Sequence, residues 1–137
     1  MKVGNAFVRV VLESPFHRVL SGSTDLVRYH GRRTGELHVT PTQYAPMGDD
    51  LVILVARADT KTWWRNFRRP RDLDVLVAGR WRPMTARVVT GADEPAEAER
   101  LLRAYLDRFP KAARVLDGET LAAQAHHATL VWCRPRP

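Results

Sequence analysis

The chain has 137 residues, 45% hydrophobic and 27% charged, a balance that predicts one globular domain over residues 1–137 rather than a disordered chain. Its longest unbroken apolar run, residues 51–56, is far short of the about 20 residues that a membrane helix needs, and its single cysteine, Cys133, excludes an internal disulfide. The net charge is +7, and residues 57–87 hold nine Lys/Arg against three Asp while the remainder is nearly balanced, so the middle segment predicts an anionic partner.

Residues 5–20 read as a helical segment, capped by Asn5 and broken at Ser14-Pro15. Phe7, Val8, Val11 and Leu12 share one side of it, and the segment predicts packing across a barrel mouth or on a membrane surface. Asn5, Arg9 and Glu13 interrupt the apolar stretch, and no small-residue cleavage site follows, so no secretory signal is expected. That absence and the lone cysteine point to the cytoplasm.

Strands are expected at residues 26–30, 37–42, 51–56, 72–78, 81–89 and 128–133. Tight glycine-bearing turns between them predict antiparallel pairing. A short helix is expected at residues 60–68 and a longer one at 95–109. In the longer one Pro95 suits the first turn and Ala98, Leu101, Leu102, Tyr105 and Leu106 form the apolar stripe. Six strands with flanking helices predict a closed or half-closed antiparallel barrel, with an open α+β sandwich as the alternative.

Two motifs stand out. Gly31-Arg32-Arg33-Thr34-Gly35 exposes backbone N–H groups beside two guanidinium groups, a combination that can hold a phosphate; the same residues also make a plain charged hairpin. Walker and dinucleotide fingerprints are absent. Trp63-Trp64-Arg65-Asn66-Phe67 places three aromatics in five residues; at α-helical spacing Trp63 and Phe67 share a side and Trp64 points elsewhere. Tryptophans there either line a ligand site or anchor the core. His126 and His127, on opposite faces of a strand, predict no metal site. The basic segment lacks a recognition-helix or aromatic-stack pattern, so no nucleic-acid partner is expected.

Together, the 31–35 turn, Pro41, an apolar strand, Trp63-x-x-Asn66-Phe67 and Pro70 resemble the deazaflavin-dependent nitroreductase family. The likeness covers residues 24–90, and residues 14–22 resemble the N-terminal region of the family's nitroreductase/quinone reductase branch. It implies a mainly β fold with flanking helices, a split antiparallel β-barrel like that of pyridoxamine phosphate oxidase. It implies coenzyme F420 as cofactor, with FMN as the alternative that other split barrels use. By position, Arg32, Arg33, Thr34 and Gly35 match the loop that holds the cofactor phosphate. His38 and Pro41 match the strand beneath the cofactor, with Pro41 near the ring. Val55, Ala56 and Arg57 match the strand end that closes over the ring. Trp63, Trp64, Arg65, Asn66 and Phe67 match the helix on the other side.

The resemblance further implies hydride transfer between F420 and a quinone, enone or nitroaromatic, in a homodimer. The chain departs from the pattern at His38, where members often carry Arg, at Glu36, where they carry Lys, and in a shorter loop at residues 57–63. Nitro-reducing members carry tyrosines where this chain reads Phe109-Pro110-Lys111-Ala112-Ala113. The proton donor then falls to solvent, His38 or Tyr44, and quinones are expected to be the better acceptors. A non-catalytic module binding cofactor or a hydrophobic small molecule is the rival reading.

Overall fold

A computed structural model of the chain describes residues 24–137. The expected N-terminal helical segment lies outside the described residues. Among those residues no helix is long and apolar enough to cross a membrane.

Seven strands form one antiparallel sheet: β1 (Thr24–His30), β2 (Leu37–Gln43), β3 (Ala45–Met47), β4 (Asp50–Leu54), β5 (Arg71–Val77), β6 (Arg80–Thr90) and β7 (Thr129–Pro135). Their order is β2-β1-β5-β6-β7-β4-β3. The two edge strands, β2 and β3, are therefore sequence neighbours joined through Tyr44. The sheet curls until its edges face one another, and the chain crosses the gap covalently. This seam is the split of the split barrel.

Turn chemistry sets the hairpins. Ala78 and Gly79 both take positive φ, 52° and 79°, the left-handed pair that matches the natural twist of a two-residue β-turn. Gly35 (φ 73°) closes the β1–β2 loop, where the Gly31 N–H donates to the Glu36 carbonyl at 2.8 Å. The expected strands are all present, with ends shifted by a few residues. Strand β3 is additional; Pro46 within it hides the strand signal and is tolerated because β3 is an edge.

The barrel interior is filled by Val27, Leu51, Ile53, Phe67, Val75, Met84, Val131 and Cys133, among others. Helix α1 (Pro95–Arg108) packs its stripe of Ala98, Leu101, Leu102 and Tyr105 on the outer face of β4, β6 and β7, against Val52, Val89 and Leu130. A second helix, α2 (Leu121–His126), follows; the Thr120 hydroxyl caps it by accepting from the Ala123 N–H at 3.1 Å. His126 and His127 therefore sit at a helix end rather than on a strand, which corrects the sequence reading. Gly91 meets α2 so closely that a Cβ there would lie 1.7 Å from the Ala125 carbonyl oxygen.

The expected helix at residues 60–68 is instead two 3-10 turns, Ala58–Thr60 and Trp63–Phe67. The change alters which side chains share a face. With three residues per turn, positions i and i+3 align, so Trp64 and Phe67 point together into the core while Trp63 stays half-buried outside it. The α-helical pairing of Trp63 with Phe67 leaves an edge-on ring contact at 6.3 Å.

Candidate functional site

The β1–β2 turn and the second 3-10 turn are tied by one side chain. Asn66, buried, accepts from the Arg32 backbone N–H through Oδ1 at 2.8 Å and donates from Nδ2 to the Trp63 carbonyl at 2.8 Å. The backbone of the turn is thus fixed while Arg32, Arg33 and Thr34 project outward, exposed. Asn66→Ala should lower stability by about 1–3 kcal/mol, because it strands a backbone donor and an acceptor in a half-buried place. Urea unfolding checks this, and an unchanged midpoint would contradict it.

Two cavities open beside this junction. The larger, about 1000 Å³, is lined by the 31–34 turn, His38, Lys61, Trp63, Arg65 and Asn66, among others. Four cations, Arg32, Arg33, Lys61 and Arg65, face Glu36 alone among the acids of the lining. Two of the three acids of the basic segment are engaged elsewhere. Asp72 and Asp74 pair with Arg136, and Asp74 also pairs with Arg28 at 3.2 Å. Arg65 Nε is buried with no hydrogen-bond partner among the described residues. His38 stacks on Tyr29 with ring centroids 5.5 Å apart, and its Nε2 would lie 2.9 Å from a Cβ at Gly31, so a side chain there would push the imidazole aside.

The smaller cavity, about 410 Å³, lies in the seam. Pro41, Thr42 and Gln43 of β2 line one side; Ile53, Leu54, Val55 and Ala56 line the other; Tyr105 of α1 also reaches it. Thr40, Lys61 and Trp63 line both cavities, so the two are contiguous. One half is cationic and the other mostly apolar. An elongated ligand with an anionic end and a flat heterocycle matches that division.

Of the residues predicted from sequence, the structure gathers Arg32, Arg33, Thr34, His38, Trp63 and Asn66 at the larger cavity and Pro41, Val55, Ala56 and Trp63 at the smaller. It does not bring Gly35, Arg57 or Trp64 to either lining. Gly35 shapes the turn from behind. Arg57 is exposed, in a left-handed conformation (φ 53°), before the first 3-10 turn. Trp64 is a core anchor whose Nε1 donates to the Ala58 carbonyl at 2.9 Å.

Neither predicted proton donor reaches the seam cavity. Tyr44 packs against the interior cluster, and burial together with Asp25 raises its phenol above the usual range. His38 belongs to the cationic cavity. Sequence reasoning missed Thr42, Tyr105 and Asp25. Asp25 is fully buried, accepts a hydrogen bond from the Thr42 hydroxyl, and is raised by desolvation to about 7. The signal was present in the period of two, which puts Asp25 on the same face of β1 as Val27 and Tyr29.

A profile of the family described as F420H(2)-dependent quinone reductase matches residues 11–120. The chain belongs to that family. It is an F420-dependent oxidoreductase. No curated protein sequence matches the chain. A solved F420-H2 dependent reductase, FDR-A, is 16% identical, with a TM-score of 0.62 over 82% of this chain and 95% of its own. A protein solved as a domain-swapped dimer is 14% identical, with a TM-score of 0.62 over 96% and 99%. A pyridoxamine 5'-phosphate oxidase-like protein from Listeria innocua is 12% identical, with a TM-score of 0.52 over 97% and 94%. At these identities the three likenesses establish the split-barrel fold.

The residues present fit F420: an anionic phosphate and oligoglutamate tail would find four cations in the larger cavity, one with an unpartnered buried Nε, and a flat ring would find an apolar slot in the seam.

Proposed function

We propose that the two contiguous cavities form one F420 site and that the enzyme reduces a quinone. Arg32, Arg33 and Thr34 hold the phosphate, Lys61 and Arg65 draw in the rest of the anionic tail, and the ring lies in the seam between Pro41 and the Val55–Ala56 strand end. The observation that carries this reading is the shared wall of Thr40, Lys61 and Trp63 joining a cationic cavity to an apolar one. F420, when bound and reduced, supplies the hydride. The protein's own contribution is to fix the anionic end, shape a dry slot and exclude water from one face of the ring.

The linings include the exposed residues Pro41, Gln43, Lys61 and Thr62, so part of the site lies open. A second copy of the chain would cover it, and the dimeric split-barrel neighbour supports that arrangement.

The test is titration of the protein with F420 and with FMN as control, read by cofactor fluorescence, followed by oxidation of reduced F420 with a quinone, an enone and a nitroaromatic. Saturable F420 binding, weaker FMN binding and fastest oxidation by the quinone are expected. Fast nitroreduction with an inert quinone would overturn the choice of acceptor. Tight binding without oxidation by any acceptor would favour the binding-module reading. Light scattering on the same samples should give the mass of a dimer.

A further inference from the structure

Thr42 lines the seam cavity together with the other polar residues of β2 there, Thr40 and Gln43, but its hydroxyl is hydrogen-bonded to a buried carboxyl. Directly across the β1–β2 ladder lies Asp25, in register with Thr42. The two side chains emerge on one face of the sheet and hydrogen-bond to each other. Asp25 has no exposed surface, and its Oδ2 has no partner among the described residues. Nor does Asp25 form an ion pair among them. A carboxylate so placed lacks the hydrogen bonds and counter-ion that would make its charge tolerable, so the group favours its neutral form.

We infer that Asp25 and Thr42 form a proton relay into the seam cavity, with Asp25 as the buried reservoir and the Thr42 hydroxyl as the group that touches the acceptor. This inference rests on the seam holding the reacting partners, as proposed above. Reduction of a quinone by one hydride leaves an oxyanion on the acceptor, and one proton completes the hydroquinone. Thr42 gives its O–H proton to that oxyanion. Asp25, protonated, gives its own proton to the Thr42 oxygen as the first bond breaks. The products are the hydroquinone, an intact threonine and an Asp25 carboxylate, which regains a proton from solvent before the next turnover. A hydroxyl and a protonated carboxyl each carry one proton and free lone pairs, so the same contact serves in either direction.

The groups within electrostatic reach of Asp25 do not compete for this role. Tyr44 after β2, Tyr105 on α1 and Cys133 on β7 are each pushed upward by burial and by Asp25 itself, so all three hold their protons near neutral pH. Arg82 and Arg108 act on Tyr44 in the opposite sense. Tyr105 also lines the cavity, yet its raised phenol is a poorer acid than a neutral carboxyl.

The experiment has two arms. In the cofactor-free protein, the infrared band of a protonated carboxyl should disappear as pH rises through about 7. Asp25→Asn should abolish that band, and Thr42→Val should move its loss to higher pH, because the threonine hydrogen bond favours the carboxylate. In the holoenzyme, single-turnover quinone reduction should slow as pH rises through the same range. Asp25→Asn should be at least about tenfold slower and lose that pH limb, Thr42→Val should be comparably slow, and Thr42→Ser should restore the parent rate and profile. Single turnover is read at saturating F420, so that any change of cofactor affinity in a variant does not enter the rate.

Parent turnover with an unchanged rate and pH limb in Asp25→Asn overturns the relay alone. A parent protein that binds no F420 overturns the cavity reading and the relay with it. A carboxyl band that persists in Asp25→Asn overturns the assignment of the reservoir.

Discussion

Arg32→Ala/Arg33→Ala protein should bind F420 at least about tenfold more weakly than the parent. A hydrogen bond to a charged group contributes roughly 1.5–3 kcal/mol, and tenfold corresponds to about 1.4 kcal/mol, so the expectation asks for the low end of one such bond. The low end is appropriate because both side chains are exposed and screened by solvent. The double variant should fold, since the turn is held by backbone bonds at Gly31, Glu36 and Arg32 rather than by the guanidinium groups. Salt should weaken F420 binding by the parent and affect the variant less. Fluorescence titration at two ionic strengths reads both effects, and equal affinity in a folded variant would remove the turn from the site.

Asp25 gives the second large effect, on stability. Its folded-state pKa lies above the unfolded value of 3.8, at about 7. Between those limits the folded protein keeps a proton that the unfolded chain releases. Its contribution is therefore fully present below about pH 4 and lost as pH rises to about 7. The loss amounts to about 4 kcal/mol by the usual 1.36 kcal/mol per unit. Asp25→Asn keeps the bond from Thr42 and carries no charge, so it should flatten this dependence and be more stable than the parent at pH 8. Urea unfolding at pH 4.5 and pH 8 measures the difference. A parent and variant with parallel pH profiles would show that Asp25 is ionised in the folded state.

Much of the barrel was legible because its turns carry explicit chemistry. Gly35, Gly48 and Ala78-Gly79 place the hairpins, and the continuous apolarity of residues 51–54 marks a strand buried on both faces. The cationic turn was legible for the same reason, since Arg32 and Arg33 sit where a loop must expose them. The aromatic turn was not. Whether Trp63 or Trp64 joins Phe67 depends on a period of three or 3.6, and five residues are too few to show either. Thr42 and Tyr105 were illegible as site residues because they meet only when β2, β4 and α1 converge on the seam. Helix α2 was readable in principle, from Thr120 as a cap and an alanine-rich stretch behind it.

The seam has one more consequence. Along most of the sheet, separating two neighbours means breaking a ladder of backbone hydrogen bonds. Among the described residues no ladder joins β2 to the β3–β4 pair, and Tyr44 carries the chain across. Parting the described strands at this line would break no ladder bond, so the sheet itself resists opening there less than at any paired strand. A ligand held in the seam cavity would bridge β2 and the end of β4, and would tie together two lips that share no backbone ladder.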